Sequence, residues 1–440
     1  MIIGGGFGGL DAARTLAGAP VRVTLVDRHN YHLFQPLLYQ VATASLSPGD
    51  IASPIRWILR RQANVRVLLA DARTIDVTER CVTLGPGPVE SYEHLPTTPP
   101  PQRLKYDYLV LATGAAHAYF GHPEWAARAP GLKTLDDALE IRRRVLLAFE
   151  AAERESDPAE QKRLLTFVIV GGGPTGVELA GALAEIARRT LRQDFRAIRP
   201  ESARVVLVEG GPHVISAFPD KLREAARASL QKIGVEVLTA SIVTAIDDRG
   251  VAWKSTPPGG GEPVIHRLEA QTVLWAAGVA ASPLAQSLGV PLDRVGRVLA
   301  EPTLQVPGHP EIFVVGDVCA LQQSGAWLPG VAQVAKQGGE HAARNIMAAL
   351  RRQPLTPFRY RDYGNMATVG RGSAVADIGP LETSGVIAWL IWLFIHIFWL
   401  IGFRNRVAVF SEWAWAYLTF QRRVRLITGQ GVASPPDAGR

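Results

Sequence analysis

Residues 166–186 combine two hydrophobic patterns, a short apolar run and a helical repeat, joined by glycines. The run at 167–170 is Phe-Val-Ile-Val, and three glycines follow it at 171–173. Beyond them, apolar positions recur at helical spacing up to residue 186. This order predicts a strand, a glycine turn and a helix, the context that gives a G-x-G-x-x-G motif its meaning.

Each glycine of this motif has a physical reason in a dinucleotide-binding turn. Gly171 permits the tight turn, Gly173 lets the backbone approach a pyrophosphate, and Gly176 lets the helix pack against the strand. The free N–H groups of the helix N-terminus attract the same anion. Glu209 ends the next predicted strand, where a carboxylate accepts hydrogen bonds from an adenosine ribose and repels a 2′-phosphate. The segment therefore predicts a site for NADH in preference to NADPH.

The chain begins with the same pattern. Gly4, Gly6 and Gly9 occupy the motif positions, and Asp27 closes the following predicted strand at 21–26. Only about three residues are left for the first strand, fewer than the usual length of about 5–6. We therefore expect the natural start of the protein to lie upstream of Met1.

Two later strands end in small residues and give the two halves of the chain a similar organisation. Residues 106–115 contain Ala-Thr-Gly up to Gly114, and residues 272–279 contain Ala-Ala-Gly up to Gly278. Small residues let a backbone pass close to a flat cofactor. The repeated order indicates a duplicated nucleotide-binding unit rather than coincidence. Residues 312–320 predict another strand, which delivers Asp317 either to a ribityl chain or to a turn as a structural cap.

The remaining segments before residue 350 are connections and helices. The aromatic stretch at 31–48 is loop-like, and it is either a packed surface loop or a contact to cofactor or quinone. Residues 85–103 predict a proline-rich surface insertion, residues 134–163 charged helices, and residues 254–263 a hairpin loop.

Gln333 and Gln337 lie four residues apart near the start of a predicted helix, and so on one helical face. Taken alone, such a pair is either solvated or part of a site.

The C-terminal region is unusually apolar. Residues 386–403 form an almost unbroken apolar run of eighteen residues, about 27 Å of helix and borderline for crossing a bilayer. Arginines follow the run, and they favour keeping that end on the cytoplasmic side, where NADH is bound. We therefore expect an in-plane or shallow re-entrant anchor, with a buried core helix or a dimer interface as the alternative. An interfacial helix is predicted next from the helical spacing of Trp413, Tyr417, Phe420 and Val424.

Composition and charge support this interpretation. The 440 residues are too many for one core, so two or three domains are expected. The net charge of +7 could suit nucleic acid or a membrane surface, but from residue 404 onward six arginines accompany two acidic residues beside tryptophans, which favours the membrane. The two cysteines, Cys81 and Cys319, have no C-x-x-C spacing. They predict neither a disulfide framework nor a zinc site, and no secretory signal is visible.

These motifs together resemble the type II NADH dehydrogenases, single-chain flavin NADH:quinone oxidoreductases, over nearly the whole chain. The resemblance is carried by GGGFGG at 4–9, NYHLFQPLLYQVATA at 30–44, ATG at 112–114, GGGPTGVE at 171–178, WAAG at 275–278, GD at 316–317 and AQVAKQ at 332–337. The last of these matches the A-Q-x-A-x-Q pattern of the family's quinone site. Disulfide reductases and sulfide:quinone oxidoreductases share the double nucleotide-binding fold but need placed cysteines, which this chain lacks.

The resemblance implies roles for individual residues. FAD would bind the first glycine turn and NADH the second, with Asp317 and the backbone near Gln333 on the flavin. Gln333 and Gln337 would line the quinone pocket. Glu178 matches a glutamate proposed to assist proton delivery, although a helix dipole alone favours an acid there. The expected cofactor-binding residues are Gly4, Gly5, Gly6, Phe7, Gly8, Gly9, Asp27, Arg28, His32, Ala72, Thr113, Gly114, Gly171, Gly173, Gly176, Glu209, Gly278, Asp317, Ala332, Gln333 and Val334; no metal is expected.

The resulting prediction is an α/β protein with two doubly wound, Rossmann-like dinucleotide-binding domains and a C-terminal helical membrane-anchoring region. The FAD domain would comprise residues 1–120 and 291–350, interrupted by an NADH domain at 121–290 and followed by the anchor at 351–440. The predicted activity is non-proton-pumping NADH:quinone oxidoreduction at the cytoplasmic face of the inner membrane, with a homodimer left open. A flavin reductase for a soluble electron carrier and a redox sensor without turnover are the alternatives.

Overall fold

The computed structural model describes residues 1–85, 101–256, 261–419 and 424–428. Most of the predicted insertion at 85–103 and Phe420 of the predicted interfacial helix lie outside these ranges. Contacts within the chain define two compact units, each built from separate segments. The first unit comprises Met1–Leu33, Ala52–Ala118 and Val279–Tyr363, and the second comprises Phe34–Ile51, Tyr119–Gly278 and Gly364–Arg440.

Residues 1–118 contain ten of the described strands and four short helices. The strands are β1 (Ile2–Ile3), β2 (Val23–Asp27), β3 (Tyr31–Leu33), β4 (Ala52–Pro54), β5 (Val65–Leu69), β6 (Asp71–Asp76), β7 (Cys81–Gly85), β8 (Gln102–Lys105), β9 (Leu109–Leu111) and β10 (Ala115–His117). The helices are α1 (Phe7–Thr15), α2 (Leu38–Ala42), α3 (Pro48–Ile51) and α4 (Ile55–Ile58).

Residues 119–363 alternate helices with strands. The helices are α5 (Trp125–Arg128), α6 (Leu135–Arg154), α7 (Pro158–Leu164), α8 (Pro174–Glu185), α9 (Asp220–Lys232) and α10 (Ala332–Leu350). The strands are β11 (Thr166–Val170), β12 (Arg204–Val208), β13 (Val235–Leu238), β14 (Ser241–Asp247), β15 (Gly250–Ser255), β16 (Val264–Glu269), β17 (Thr272–Trp275), β18 (Val279–Ala281), β19 (Val298–Leu299), β20 (Gln305–Val306), β21 (His309–Val314), β22 (Cys319–Ala320), β23 (Gln322–Gln323) and β24 (Ala326–Trp327).

The main sheet of the first unit has the strand order β20-β21-β9-β1-β2-β5. Its pairs are parallel except for the edge hairpin of β20 and β21. The carboxyl ends of parallel strands meet at one edge of a sheet, which is where an open α/β sheet binds its ligand. In this unit that edge carries the turn after β1, the acid at the end of β2 and the residues that follow β9 and β21.

The second unit contains a smaller parallel sheet with the order β13-β12-β11-β17. The chain runs outward from β11 through β12 to β13 and then crosses to β17 on the other side. Strand β11 is buried along its whole length, which explains the apolar sequence that follows its first residue, Thr166. The prediction of an α/β protein with two mainly parallel sheets is confirmed.

The C-terminal part of the second unit is a three-stranded antiparallel sheet followed by two helices. It contains β25 (Asn365–Gly370), β26 (Ser373–Ile378), β27 (Leu381–Gly385), α11 (Val386–Trp399) and α12 (Phe403–Thr419). Helix α8 packs against β25 so closely that a Cβ built at Gly181 would lie 1.7 Å from the carbonyl oxygen of Val369.

The apolar run at 386–403 is not one helix, because α11 ends at Trp399 and α12 begins at Phe403. Helix α11 packs on β26, with Ala388 and Trp392 buried. Among the described residues, every helix is too short or too polar to cross a bilayer.

Two local predictions are wrong. The stretch at 31–48 is not a loop throughout, since it contains β3 and the buried helix α2. Trp413 does not belong to an exposed interfacial face, because it is buried and its Nε1 donates to Oε1 of Gln40 at 2.7 Å. A buried indole N–H needs such an acceptor, so the contact holds Trp413 inside the fold.

Candidate functional site

The first glycine turn lies between β1 and α1. Gly4 has φ +100°, and a Cβ there would lie 2.3 Å from the carbonyl oxygen of Ala112. A Cβ at Gly9 would lie 1.8 Å from the carbonyl oxygen of Gly4. A Cβ at Gly6 would meet no described atom within 4 Å, and Gly6 is the N-cap of α1. Gly4 and Gly9 therefore leave no room for a side chain, whereas Gly6 borders open space beside the free N–H groups of a helix.

Asp27 is held against this turn. Its Oδ2 accepts a hydrogen bond from N of Gly5 at 2.5 Å, and its Oδ1 accepts one from N of His29 at 2.6 Å. Burial raises the pKa of Asp27, while these bonds and the charges of His29 and Arg28 oppose the shift. The carboxylate thus fixes the turn while its remaining lone pairs are available to a ribose.

Three buried polar atoms in the first unit have no hydrogen-bond partner among the described residues. Burial lowers the pKa of His32 to about 4, so its ring is neutral at pH 7. Its Nδ1 lies 3.0 Å from the carbonyl oxygen of Gly5, which can only accept, so Nδ1 carries the proton and Nε2 is left as an acceptor. Nε2 and the hydroxyls of Thr113 and Tyr106 are the unpartnered atoms. Buried polar groups without a partner are rare and indicate a ligand or water.

A cavity of ≈ 640 Å³ in the first unit lies beside the start of α10. Asp317, on the short turn after β21, lines it together with Gly330 and Val334. Cys319 also lines it, and burial raises the pKa of this thiol to about 12, which keeps it protonated and unreactive. The structure therefore brings together Asp317 and the helix that carries the two predicted glutamines.

Both glutamines of α10 bind the segment at 360–363. Oε1 of Gln333 accepts from the hydroxyl of Tyr360 at 3.3 Å and from N of Tyr363 at 3.2 Å. The amide of Gln337 both donates to the backbone oxygen of Arg361 at 2.9 Å and accepts from its N–H at 3.0 Å. Gln337 therefore holds this segment in place, a role that its spacing in the sequence does not reveal.

The second glycine turn, between β11 and α8, repeats the geometry of the first. Gly171 has φ +108°, and a Cβ there would lie 2.6 Å from the carbonyl carbon of Ala276. A Cβ at Gly176 would lie 1.8 Å from the carbonyl oxygen of Gly171, whereas one at Gly173 would meet nothing within 4 Å. Gly173 is the N-cap of α8, so open space again adjoins free helix N–H groups.

Glu209 stands beside this turn as Asp27 stands beside the first. Its Oε2 accepts from N of Gly172, and its Oε1 accepts from N of Gly211 at 2.6 Å. Both units thus place a carboxylate, fixed by a turn glycine, after the strand that neighbours the turn.

Glu178 lies one helical turn beyond the start of α8 and lines a cavity of ≈ 740 Å³ in the second unit. Burial raises the pKa of Glu178 to about 8, and a hydrogen bond to the backbone of Thr368 opposes the shift. The carboxyl group is therefore mostly protonated at pH 7. Three tryptophans from the C-terminal helices share the lining: Trp389, Trp392 and Trp413. Sequence reasoning missed these neighbours, because only the folded chain brings them to α8.

Two expected cofactor residues lie less directly at the turns. Ala72 is in β6, which belongs to a separate three-stranded sheet, and it packs against the apolar core of the first unit. Arg28 follows Asp27 and acts on it through its charge. Within the described ranges, acidic, histidine and cysteine side chains form no cluster able to hold a metal ion.

Comparison with known proteins identifies the class to which this fold and these two turns belong. Residues 1–346 match the pyridine nucleotide-disulphide oxidoreductase family model, and residues 363–422 match the model of the NDH2 C-terminal domain. A solved structure of NDH2 from Plasmodium falciparum in complex with NADH has a TM-score of 0.85 and 20% identity, covering 97% of this chain and 99% of that one.

Curated relatives give the particular family. The type II NADH:quinone oxidoreductase Ndh of Mycobacterium tuberculosis is 46% identical over 98% of this chain and 90% of its own length. A second enzyme of that name and organism, NdhA, is 47% identical over 98% of this chain and 89% of its own. The chain belongs to the type II NADH:quinone oxidoreductases, as its motifs predicted.

Proposed function

We propose that this chain catalyses the oxidation of NADH by a membrane quinone, with FAD as its cofactor and without pumping protons. Its family carries out this class of reaction, and FAD and NADH are the cofactors it uses. The observation that carries the proposal to this chain is the pair of glycine turns, each open at one glycine and each flanked by a fixed carboxylate. When bound, FAD would supply the redox chemistry, namely the capacity to take up a hydride and to deliver two electrons to a quinone.

FAD is assigned to the first unit. The open space at Gly6 and the N-terminus of α1 suit a pyrophosphate, and Asp27 suits the adenosine ribose. The acceptor Nε2 of His32 and the hydroxyl of Thr113 suit the many hydroxyl and amide groups of a flavin dinucleotide. Asp317 lines a cavity of the first unit, where its carboxylate suits the hydroxyls of the ribityl chain. The residues present therefore fit the cofactor.

NADH is assigned to the second turn. Gly173 and the N-terminus of α8 would receive its pyrophosphate, and Glu209 would accept hydrogen bonds from the adenosine ribose. A 2′-phosphate placed there would meet the negative charge of Glu209, so NADH is favoured over NADPH.

Glu178 is proposed to supply a proton for quinone reduction. Reducing a quinone to a quinol consumes two protons, and a carboxyl group with a pKa near the working pH both gives and regains a proton efficiently. Burial brings the pKa of Glu178 to about 8. Arg189 and Arg371 line the same cavity, which provides a polar surrounding for the group that must ionise.

Gln333 and Gln337 are proposed to belong to the quinone-binding site, which lies in the first unit. Gln337 fixes the backbone of Arg361 through two hydrogen bonds, so it acts on the shape of the pocket. Gln333 accepts from Tyr360 and Tyr363, and we assign to it the direct contact with the quinone.

The membrane surface is proposed to bind the outer face of α11. Ile387, Leu390, Phe394 and Phe398 lie along one stripe of the helix and are exposed, Phe394 by 69%. The opposite side is buried through Ala388 and Trp392. A contiguous apolar face of this kind marks a protein or membrane contact, and the arginines that follow favour an anionic lipid surface. We place it on the cytoplasmic face of the inner membrane. Helix α11 carries one ionisable residue, His396, and so offers no relay of ionisable groups for proton pumping.

Substitution of exposed residues tests this attachment without opening the core. The triple variant Leu390→Ser, Phe394→Ser, Phe398→Ser should move from the membrane pellet to the supernatant while keeping its flavin. The control is Ile265→Ser, since Ile265 is also exposed but lies on β16, and it should stay in the pellet. A triple variant that stays membrane-bound would contradict the assignment, and loss of a dimer on gel filtration would assign the face to a second copy instead.

The activity is tested by the absorbance spectrum of the purified protein. Its flavin bands should bleach on addition of NADH under argon and return on addition of a quinone analogue. A colourless protein that cannot be reconstituted with FAD, or bleaching that a quinone does not reverse, would refute the proposal. Reoxidation by a soluble one-electron carrier but not by quinone would favour the reductase alternative.

A further inference from the structure

Phe120 is an unusual residue for its position. Its backbone is left-handed, with φ +49°, a conformation that bulky residues rarely adopt. Its side chain is 68% exposed, so the ring gains little from burial. Neither the backbone nor the hydrophobic effect favours phenylalanine here. Strained backbone conformations are concentrated at ligand-binding and active sites, which makes this exposed ring a candidate ligand contact.

The ring of Phe120 lies over Gly278. A Cβ built at Gly278 would be 2.3 Å from Cζ of Phe120, and Gly278 itself has φ +80°. The buried Trp275 packs against the ring of Phe120, with ring centroids 6.0 Å apart and planes at 57°. Tyr119 stacks on the same tryptophan at 5.1 Å. The aromatic residues around Trp275 therefore hold the exposed ring of Phe120 against the backbone of Gly278.

The sheet topology shows which half of a dinucleotide would meet this ring. Glu209 follows β12, on one side of β11, and Gly278 follows β17, on the other. A dinucleotide binds across the crevice at this switch point, with its adenosine ribose at the carboxylate that ends the second strand. The other half, which ends in nicotinamide, then extends over the end of β17, beside Gly278.

We propose that Phe120 is a positioning residue that packs against the nicotinamide half of NADH. The proposal rests on the proposed NADH site at the second glycine turn. A flat ring over Gly278 supplies an aromatic wall for a flat ligand group, and stacking of this kind needs no hydrogen bond. The adenosine half lies on the far side of β11 and does not touch the ring.

The test compares two ligands that differ only in the nicotinamide. Isothermal titration of the oxidised holoenzyme with NAD⁺ and with ADP-ribose avoids turnover. Replacement of the ring by Phe120→Ala should weaken NAD⁺ binding about three- to tenfold. Affinity for ADP-ribose should stay within about twofold, because that ligand ends before the ring. Phe120→Tyr should restore NAD⁺ affinity, since it keeps the aromatic face.

One control variant and three outcomes that would overturn the proposal complete the test. Ile265→Ala removes an equally exposed apolar side chain of the second unit and should change neither affinity. Equal weakening of both ligands by Phe120→Ala would show a structural role only and overturn the proposal. Tighter NAD⁺ binding would make the ring an obstacle rather than a wall, with the same consequence. A wild-type enzyme that binds neither ligand would refute the NADH site itself and this inference with it.

Discussion

The raised pKa of Glu178 predicts a pH dependence of stability that a single substitution should remove. Glu178 shares its cavity with Trp389, Trp392 and Trp413, and its carboxyl group is mostly protonated at neutral pH. Glutamine has the same shape and retains an oxygen for the hydrogen bond to Thr368, but it cannot ionise. Glu178→Gln therefore imitates the protonated state at every pH, and the difference between it and the wild type reports the titration of one group.

The sign and size of this effect follow from proton linkage. The ordinary pKa of the group is 4.5, and burial raises the pKa of Glu178 to about 8 in the folded protein. A folded state that binds a proton more tightly than the unfolded state is most stable at low pH and loses that advantage as the pH rises through the folded pKa. Between the two pKa values the loss is about 1.4 kcal/mol per pH unit. From about pH 6 to about pH 7.5 the wild type should lose about 2 kcal/mol relative to Glu178→Gln.

Urea unfolding of the holoenzyme at a series of pH values measures this difference. The midpoints of wild type and Glu178→Gln should separate as the pH rises, with the variant the more stable above pH 8. Glu150→Gln is the matched control, because Glu150 is also on a helix, α6, but is exposed. Its midpoint should follow that of the wild type. Parallel curves for wild type and Glu178→Gln would show that the carboxyl group is already ionised and would remove the basis for its proposed role as a proton donor.

Three further predictions concern the nucleotide and quinone sites. Gly173→Ala should keep the melting temperature of the wild type, because its Cβ enters empty space, but should raise KM for NADH, because that space is the proposed pyrophosphate site. Gly176→Ala should fail to fold stably, because its Cβ would overlap the carbonyl oxygen of Gly171. Equal melting temperatures for the two variants would contradict this reasoning. Glu209→Ala should lower the preference for NADH over NADPH by about tenfold or more in kcat/KM, since the charge that opposes the 2′-phosphate is gone, and an unchanged ratio would refute the assignment. Gln333→Ala should keep bleaching of the flavin by NADH but slow its reoxidation by a quinone analogue; unchanged reoxidation would exclude a direct contact.

The two glycine turns could be predicted from the sequence because their geometry is local. The run before Gly171, the spacing to Gly176 and the acid at Glu209 lie within one strand-turn-helix-strand unit, and backbone sterics decide each choice. The same holds for Gln333 and Gln337, whose placement on one face needs only the helix α10. Their partners at 360–363 could not be predicted, since these contacts depend on where a later extended segment passes.

The C-terminal region shows where pattern alone is insufficient. Hydropathy predicted one apolar segment and an interfacial helix, but it does not distinguish a tryptophan that faces lipid from one that faces protein. In the fold Trp413 faces protein and donates to Gln40, whose Nε2 donates in turn to the hydroxyl of Tyr39 at 2.9 Å. The ring of Trp392 packs against that of Trp413, with centroids 5.3 Å apart. The aromatic stretch near residue 40 therefore anchors the helices that line the Glu178 cavity, so the helices proposed to bind the membrane and the environment that raises the pKa of Glu178 are parts of one packing arrangement.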